Sequence, residues 1–173
     1  MTKRRIFCKV LAFLAVMVLA VSVCSAAPPA STPVPTPIVL YRLDSGSTYQ
    51  QGCVAPCMCP VSAPEKMTGT FGLEPLAPSP LFTRYRVTDV SWKIVGPNAK
   101  TVHRIAGQGI YEIGGEVALM QQLILNLSID GASPQLFVSG LVPFELPFPA
   151  ISLSVDNGGK CYEISLHINA DTD

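Results

Sequence analysis

Clustered cysteines are the feature of this sequence that most directly indicates chemistry. Cys53, Cys57 and Cys59 lie in the segment GCVAPCMCP and Cys161 stands alone near the C-terminus, while the other two of the six cysteines lie among the first 26 residues. An even number of cysteines in an exported domain indicates disulfide bonds, and four cysteines allow three connectivities. We predict two structural disulfides and favour Cys59–Cys161 together with Cys53–Cys57.

Metal binding and redox catalysis are the other chemistries of clustered thiols. Four thiolates hold zinc, and the Cys-Met-Cys run at 57–59 offers soft ligands that suit Cu(I). Zinc sites usually pair two C-x₂₋₄-C segments, whereas here three cysteines cluster and the fourth is distant. A dithiol oxidoreductase needs C-x-x-C at the start of a helix, and no helix is predicted here. We therefore expect no metal and no cofactor.

Catalytic side chains are few. The only histidines are His103 and His167, and no G-x-S-x-G turn presents a serine nucleophile. Ser45 belongs to an Asp-Ser-Gly turn. Glu112 and Glu116 flank a Gly-Gly turn, and glycoside hydrolysis uses paired carboxylates, although a solvated hairpin end is the simpler explanation. We lean against an enzyme and assign no catalytic residue.

The N-terminus has the organisation of a signal peptide. Basic residues are concentrated in the first nine positions, an uncharged apolar run occupies residues 10–23, and small residues precede Ala27. The run is shorter than the ~20 residues of a bilayer span but suits a secretory signal. We expect cleavage before Ala27, removal of residues 1–26, and a secreted, periplasmic or envelope protein that meets the membrane only before cleavage. The alternatives are lipidation of Cys24, which bulky Val23 disfavours, and an uncleaved anchor.

The charge balance excludes nucleic acid as the expected partner. Twelve basic and twelve acidic residues cancel, but four basic residues lie in the first nine positions, so the rest of the chain carries eight basic and twelve acidic residues, a net charge of −4. Affinity for nucleic acid is built mainly on Lys and Arg that neutralise phosphates. A chain with the opposite balance is unsuited to that role.

Residues 27–37 have the composition of a linker. Five prolines lie between positions 28 and 37. Because proline fixes φ and removes a backbone donor, this segment is predicted to be an extended spacer. The remaining residues, 38–173, have the length of a single domain.

Apolar residues in that domain alternate with a period of two, which indicates β-strands. Alternation is clearest at 117–129 and in a hairpin formed by 151–155 and 162–168 around Asn157-Gly158. Between Phe82 and Val95 the apolar positions change from odd to even, which predicts a bulge near Thr88-Asp89. Trp92 falls on the apolar phase and is predicted to be buried. Further strands are expected at 38–43, 67–73, 102–113 and 136–142.

About eight short, mostly antiparallel strands define an all-β fold. We favour an antiparallel β-sandwich, with a closed up-and-down β-barrel as the alternative, because pattern alone does not reveal closure. A signal-peptide helix is expected to precede it.

The cysteine segment resembles that of a group of uncharacterised secreted bacterial proteins. It reads GSTYQQGCVAPCMCP at 46–60 and is followed by GTF at 69–71, TDVSW at 88–92 and GIYEIGGE at 109–116. The similarity extends from Arg42 to the C-terminus, and its specific part is the cysteine segment. The resemblance implies a folded, exported, β-rich module and carries over no catalytic residue, since the group has no assigned activity.

Three classes of function follow. We favour a non-enzymatic exported module that binds an unknown protein or glycan, or serves structurally at the cell surface or in the envelope. The alternatives are a barrel that carries a small apolar ligand, with segment 143–149 at its mouth, and an extracellular hydrolase with a carboxylate pair. A hollow interior would favour the carrier. An exposed platform of Tyr41, Tyr49, Phe82 or Trp92 would favour the binding module. Two carboxylates in a cleft would favour the hydrolase.

Overall fold

The computed structural model describes residues 37–60, 63–96 and 101–172, which form antiparallel β-strands and no helix. The predicted signal segment 1–26, and the linker 27–37 except for its last residue, lie outside the described residues. None of the described residues belongs to a helix that is long and apolar enough to cross a membrane. The strands are β1 (Val39–Leu43), β2 (Thr48–Cys53), β3 (Glu65–Pro75), β4 (Phe82–Val95), β5 (Thr101–Gly114), β6 (Met120–Ile129), β7 (Gln135–Val138), β8 (Val142–Pro143), β9 (Ile151–Asp156) and β10 (Tyr162–Thr172).

All ten strands belong to one hydrogen-bonded sheet, which confirms the predicted all-β, antiparallel class. From β2 to β7 each strand pairs with the next, and β9 pairs with β10. β1 and β2 both lie between β3 and β10, β1 beside the C-terminal part of β10 and β2 beside its N-terminal part. A single residue pair, Val138 with Asp156, joins β7 to β9. Strand pairing therefore follows chain order from β2 to β10 and returns to β2, and its weakest pairing is the one between β7 and β9.

The predicted bulge in β4 is confirmed. The register between β4 and β5 shifts between Val87 and Val90, and Asp89 has a φ of 52°. Because of this register shift, Val87, Val90, Trp92 and Ile94 all face the interior. The irregularity lets one long strand keep its apolar side chains inside although their sequence phase changes.

Strand β2 was not predicted, because its sequence TYQQGC lacks alternating apolar residues. Its one aromatic residue, Tyr49, is only 3% exposed, and the strand is fixed by pairing with β10, where Tyr49 lies opposite Leu166. Tertiary pairing thus overrides weak local preference.

The interior is packed with large side chains. Trp92 is 2% exposed, which confirms its predicted burial, and its indole lies edge-on to Phe71, with ring centroids 6.0 Å apart. Phe71 in turn stacks on Tyr41 at 5.2 Å. A hollow interior would leave accessible surface on the side chains that line it. Almost none remains on the largest of them, namely Trp92, Tyr41, Tyr111, Phe137, Met67 and Leu73.

Two glycines allow β5 and β6 to approach each other closely. A Cβ at Gly107 would lie 2.1 Å from the backbone oxygen of Asn126, and one at Gly109 would lie 2.1 Å from that of Ile124. Neither position has room for a side chain unless the strands separate. Glycine, which is uncommon inside strands, is therefore suited to these two positions.

Candidate functional site

Two disulfide bonds cross-link the segment that follows β2. They join Cys53 to Cys59 and Cys57 to Cys161, with Cα atoms 5.4 Å apart in each pair. The four cysteines are thus bridged, but the favoured pairing, Cys59–Cys161 with Cys53–Cys57, is wrong. The reason is the turn after β2. The Val54 N–H donates to the Cys161 carbonyl at 3.3 Å and the Cys57 N–H to the Val54 carbonyl at 3.1 Å, which turns Cys57 back beside Cys161.

The disulfides indicate an oxidising environment, since cytosolic proteins usually keep their thiols reduced. Within the described residues, no group of three or more His, Cys, Asp or Glu side chains is arranged to hold a metal ion. All four cysteines of the described residues are bridged.

A depression of about 110 Å³ lies beside this cross-linked segment, on the outer face of strands β2 and β10. Register explains its position: Glu163 lies opposite Gly52 and Ser165 opposite Gln50, so that all four share one face. Gly52 contributes no side chain between its neighbours. The depression is lined by Gln50, Gly52, Cys53, Val54, Glu163 and Ser165.

Electrostatics single out Glu163 within this depression. Loss of solvent raises the pKa of its carboxyl group above the ordinary value, and the negative charge of Asp156 raises it further. Asp156 lies on the next strand, opposite Ser165. Among the residues that the structure describes, no lysine or arginine forms an ion pair with either carboxylate. The described part of the site therefore carries two carboxylates and no ion-paired base.

A second polar cluster lies at the same end of the sheet. His103 Nδ1 contacts Asp130 Oδ2 at 2.6 Å, and the Arg104 N–H donates to Asp130 Oδ1 at 2.8 Å. The contact with His103 is the main cause that lowers the pKa of Asp130. The ring centroids of Tyr49 and His103 lie 5.9 Å apart. The Tyr49 hydroxyl donates to Gln51 Oε1 at 2.7 Å. The cluster ties β5 to the turn after β6, which is a structural role.

The other candidate residues considered from the sequence lie outside the depression. Glu112 binds Arg84 at 2.7 Å across β4 and β5, and Glu116 is exposed in the following turn. His167 contacts Ser154 at 3.1 Å as a cross-strand pair on the outer face of β10 and β9. None of these side chains lines the depression.

The aromatic platform considered from the sequence does not form. Tyr41, Tyr49 and Trp92 are each at most 3% exposed, and only Phe82 of the four is partly accessible. The three buried rings pack in the interior and offer no exposed binding face.

Segment 143–149 lies at the opposite end of the sheet. Phe148 stacks on Tyr85 at 5.6 Å, and the Phe144 N–H donates to the Leu119 carbonyl at 3.2 Å. Several apolar side chains remain exposed at this end, namely Leu81, Val117, Leu119, Leu146 and Phe148.

Comparison with protein-family models, curated proteins and solved structures found no match. The resemblance of the cysteine segment to secreted bacterial proteins therefore stays a prediction.

Proposed function

We propose that this chain is an exported bacterial β-domain that works without catalysis, as a binding or structural module at the cell surface or in the envelope. The observation that carries the proposal is the packed interior. Trp92, Tyr111 and Phe137 are buried there with at most 2% of their surface exposed, so a ligand would bind to the outside of the sheet. The partner is a protein or glycan.

Two further observations support export. The described domain is held by two disulfides, which persist in oxidising compartments. The sequence also begins with a basic segment and the apolar run at 10–23, which is typical of a signal peptide.

The carrier and the hydrolase receive less support. A carrier of an apolar ligand needs an internal cavity, and the side chains that would line one have almost no accessible surface. A hydrolase with a carboxylate pair needs both groups free for chemistry, and Glu112 is bound to Arg84.

Association with the envelope tests the proposal. Labelled exported protein is mixed with the isolated envelope fraction of the producing cells, and the retained fraction is measured after sedimentation, with unlabelled protein as competitor. We expect saturable retention that the competitor abolishes. No retention, or release of a stoichiometric apolar molecule on solvent extraction of the purified protein, would contradict the proposal.

A further inference from the structure

The depression between β2 and β10 has the size of a small planar group. Its volume is about 110 Å³. An apolar cavity of about 150 Å³ holds benzene, so this space suits a group somewhat smaller than a benzene ring. A guanidinium or an ammonium group at the end of an alkyl chain is small enough for this volume.

Its polar lining favours a cation. Glu163 offers a carboxylate and Ser165 a hydroxyl oxygen, and none of the described residues that line the space is basic. Asp156 adds a second carboxylate next to Ser165, with its Oδ1 accepting the Gly158 N–H at 2.9 Å. A bound cation would compensate the desolvated charge of Glu163, and hydrogen bonds between charged groups are about twice as strong as neutral ones.

The wall of the depression is rigid. Cys53, which lines the depression, is bridged to Cys59. Cys57, in the same segment, is bridged to Cys161, which is the residue directly before β10. The Val54 N–H is held by the Cys161 carbonyl. Because these bonds fix the wall before any ligand arrives, binding loses little conformational entropy. The cross-links thus stabilise this site as well as the fold.

We propose that this depression binds the cationic end of an arginine or lysine side chain of a partner protein, with Glu163 as the charged acceptor and Ser165 as a second acceptor. This inference rests on the proposed function, since it names the ligand chemistry of one surface of the binding module. A partner's side chain is favoured over a free cation because the space is open to solvent on the outer face and encloses only the end of a ligand. The partner's surrounding surface would supply the remaining contacts.

The test is an NMR titration of the exported, oxidised protein with N-acetyl-arginine methylamide, its lysine analogue and the neutral isostere N-acetyl-citrulline methylamide. We expect saturable amide shifts in β2 and at the start of β10 with both cationic probes, and at least fivefold weaker binding of the citrulline probe. Equal binding of the arginine and citrulline probes, or no saturable shift with either cation at millimolar concentration, would overturn the proposal.

Matched variants locate the effect. Glu163→Gln should weaken binding of the arginine probe at least fivefold, whereas Glu145→Gln, which removes an exposed carboxylate outside the depression, should leave it unchanged. The amide spectra report whether each variant is folded, and Asp156→Asn, expected to weaken binding about twofold, gives a second reading if Glu163→Gln is unfolded. Unchanged affinity in the folded acidic-site variants would contradict the assignment.

Two further readings separate the possible outcomes. Methylguanidinium that binds as tightly as the arginine probe would overturn the assignment to a partner's side chain and indicate a small free cation. The envelope assay described above is repeated with Glu163→Gln. Saturable retention of this variant would mean that the proposed binding module still works when the cation site has been removed.

Discussion

Removing each disulfide separately should destabilise the protein by different amounts. We consider two double variants, Cys57→Ala with Cys161→Ala and Cys53→Ala with Cys59→Ala. The bridged residues are 104 positions apart in the first pair and 6 in the second. In the chain-entropy model these loops contribute about 4.7 and about 2.2 kcal/mol at 25 °C, because a longer closed loop removes more freedom from the unfolded chain. The expected difference is about 2.5 kcal/mol.

Urea unfolding of the oxidised variants, followed by tryptophan fluorescence, measures these losses. Equal losses, or a larger loss for the variant without Cys53 and Cys59, would contradict a contribution from loop entropy that grows with loop length. Mass spectrometry adds a check on connectivity. The variant without Cys57 and Cys161 should keep the Cys53–Cys59 bridge and have no free thiol, whereas the pairing favoured from the sequence would leave two free thiols.

Three other predictions concern the interior. Trp92→Ala should cost about 3–5 kcal/mol in urea unfolding followed by circular dichroism, since it removes the single tryptophan. Trp92→Phe should cost less, because Nε1 has no hydrogen-bond partner among the described residues and its removal sacrifices no bond. A loss below about 1 kcal/mol for Trp92→Ala would show that the ring is not in the core. Gly109→Ala should cost about 1–3 kcal/mol or more in the same assay, because its Cβ would meet the Ile124 backbone oxygen, and an unchanged midpoint would contradict the close approach of β5 and β6. Burial raises the pKa of Tyr41 and of Tyr49 from 10.0 to about 12, so the stability they contribute is present below pH 10 and is lost as the pH rises towards 12. Absorbance at alkaline pH should show that both phenols are still protonated at about pH 11, and ionisation at the ordinary pKa of 10.0 would contradict their burial.

The sequence predicted what depends on local alternation. The bulge at Thr88-Asp89 was predictable because Val87 and Trp92 fall on opposite phases of one strand and both must face inwards. The final hairpin was predictable because alternation continues on both sides of Asn157-Gly158. The class of fold followed from these periods.

Features that depend on neighbours distant in sequence were not predictable. Pairing of Cys57 with Cys161 depends on the turn at Val54, and sequence spacing favoured Cys59 instead. The depression requires β2 beside β10, which brings Gly52 opposite Glu163 across more than half of the chain. The only local signal for this site was the glycine directly before the cysteine cluster.

Native mass spectrometry of the protein recovered from the exported fraction shows in one experiment whether this is an exported, disulfide-bonded module with a filled interior. We expect a chain that starts at Ala27 and is four hydrogens lighter than its reduced form, two for each bridge, with the same mass under native and denaturing conditions once its partner is removed. Free thiols, a lipid on Cys24, or an apolar small molecule released only on unfolding would contradict it.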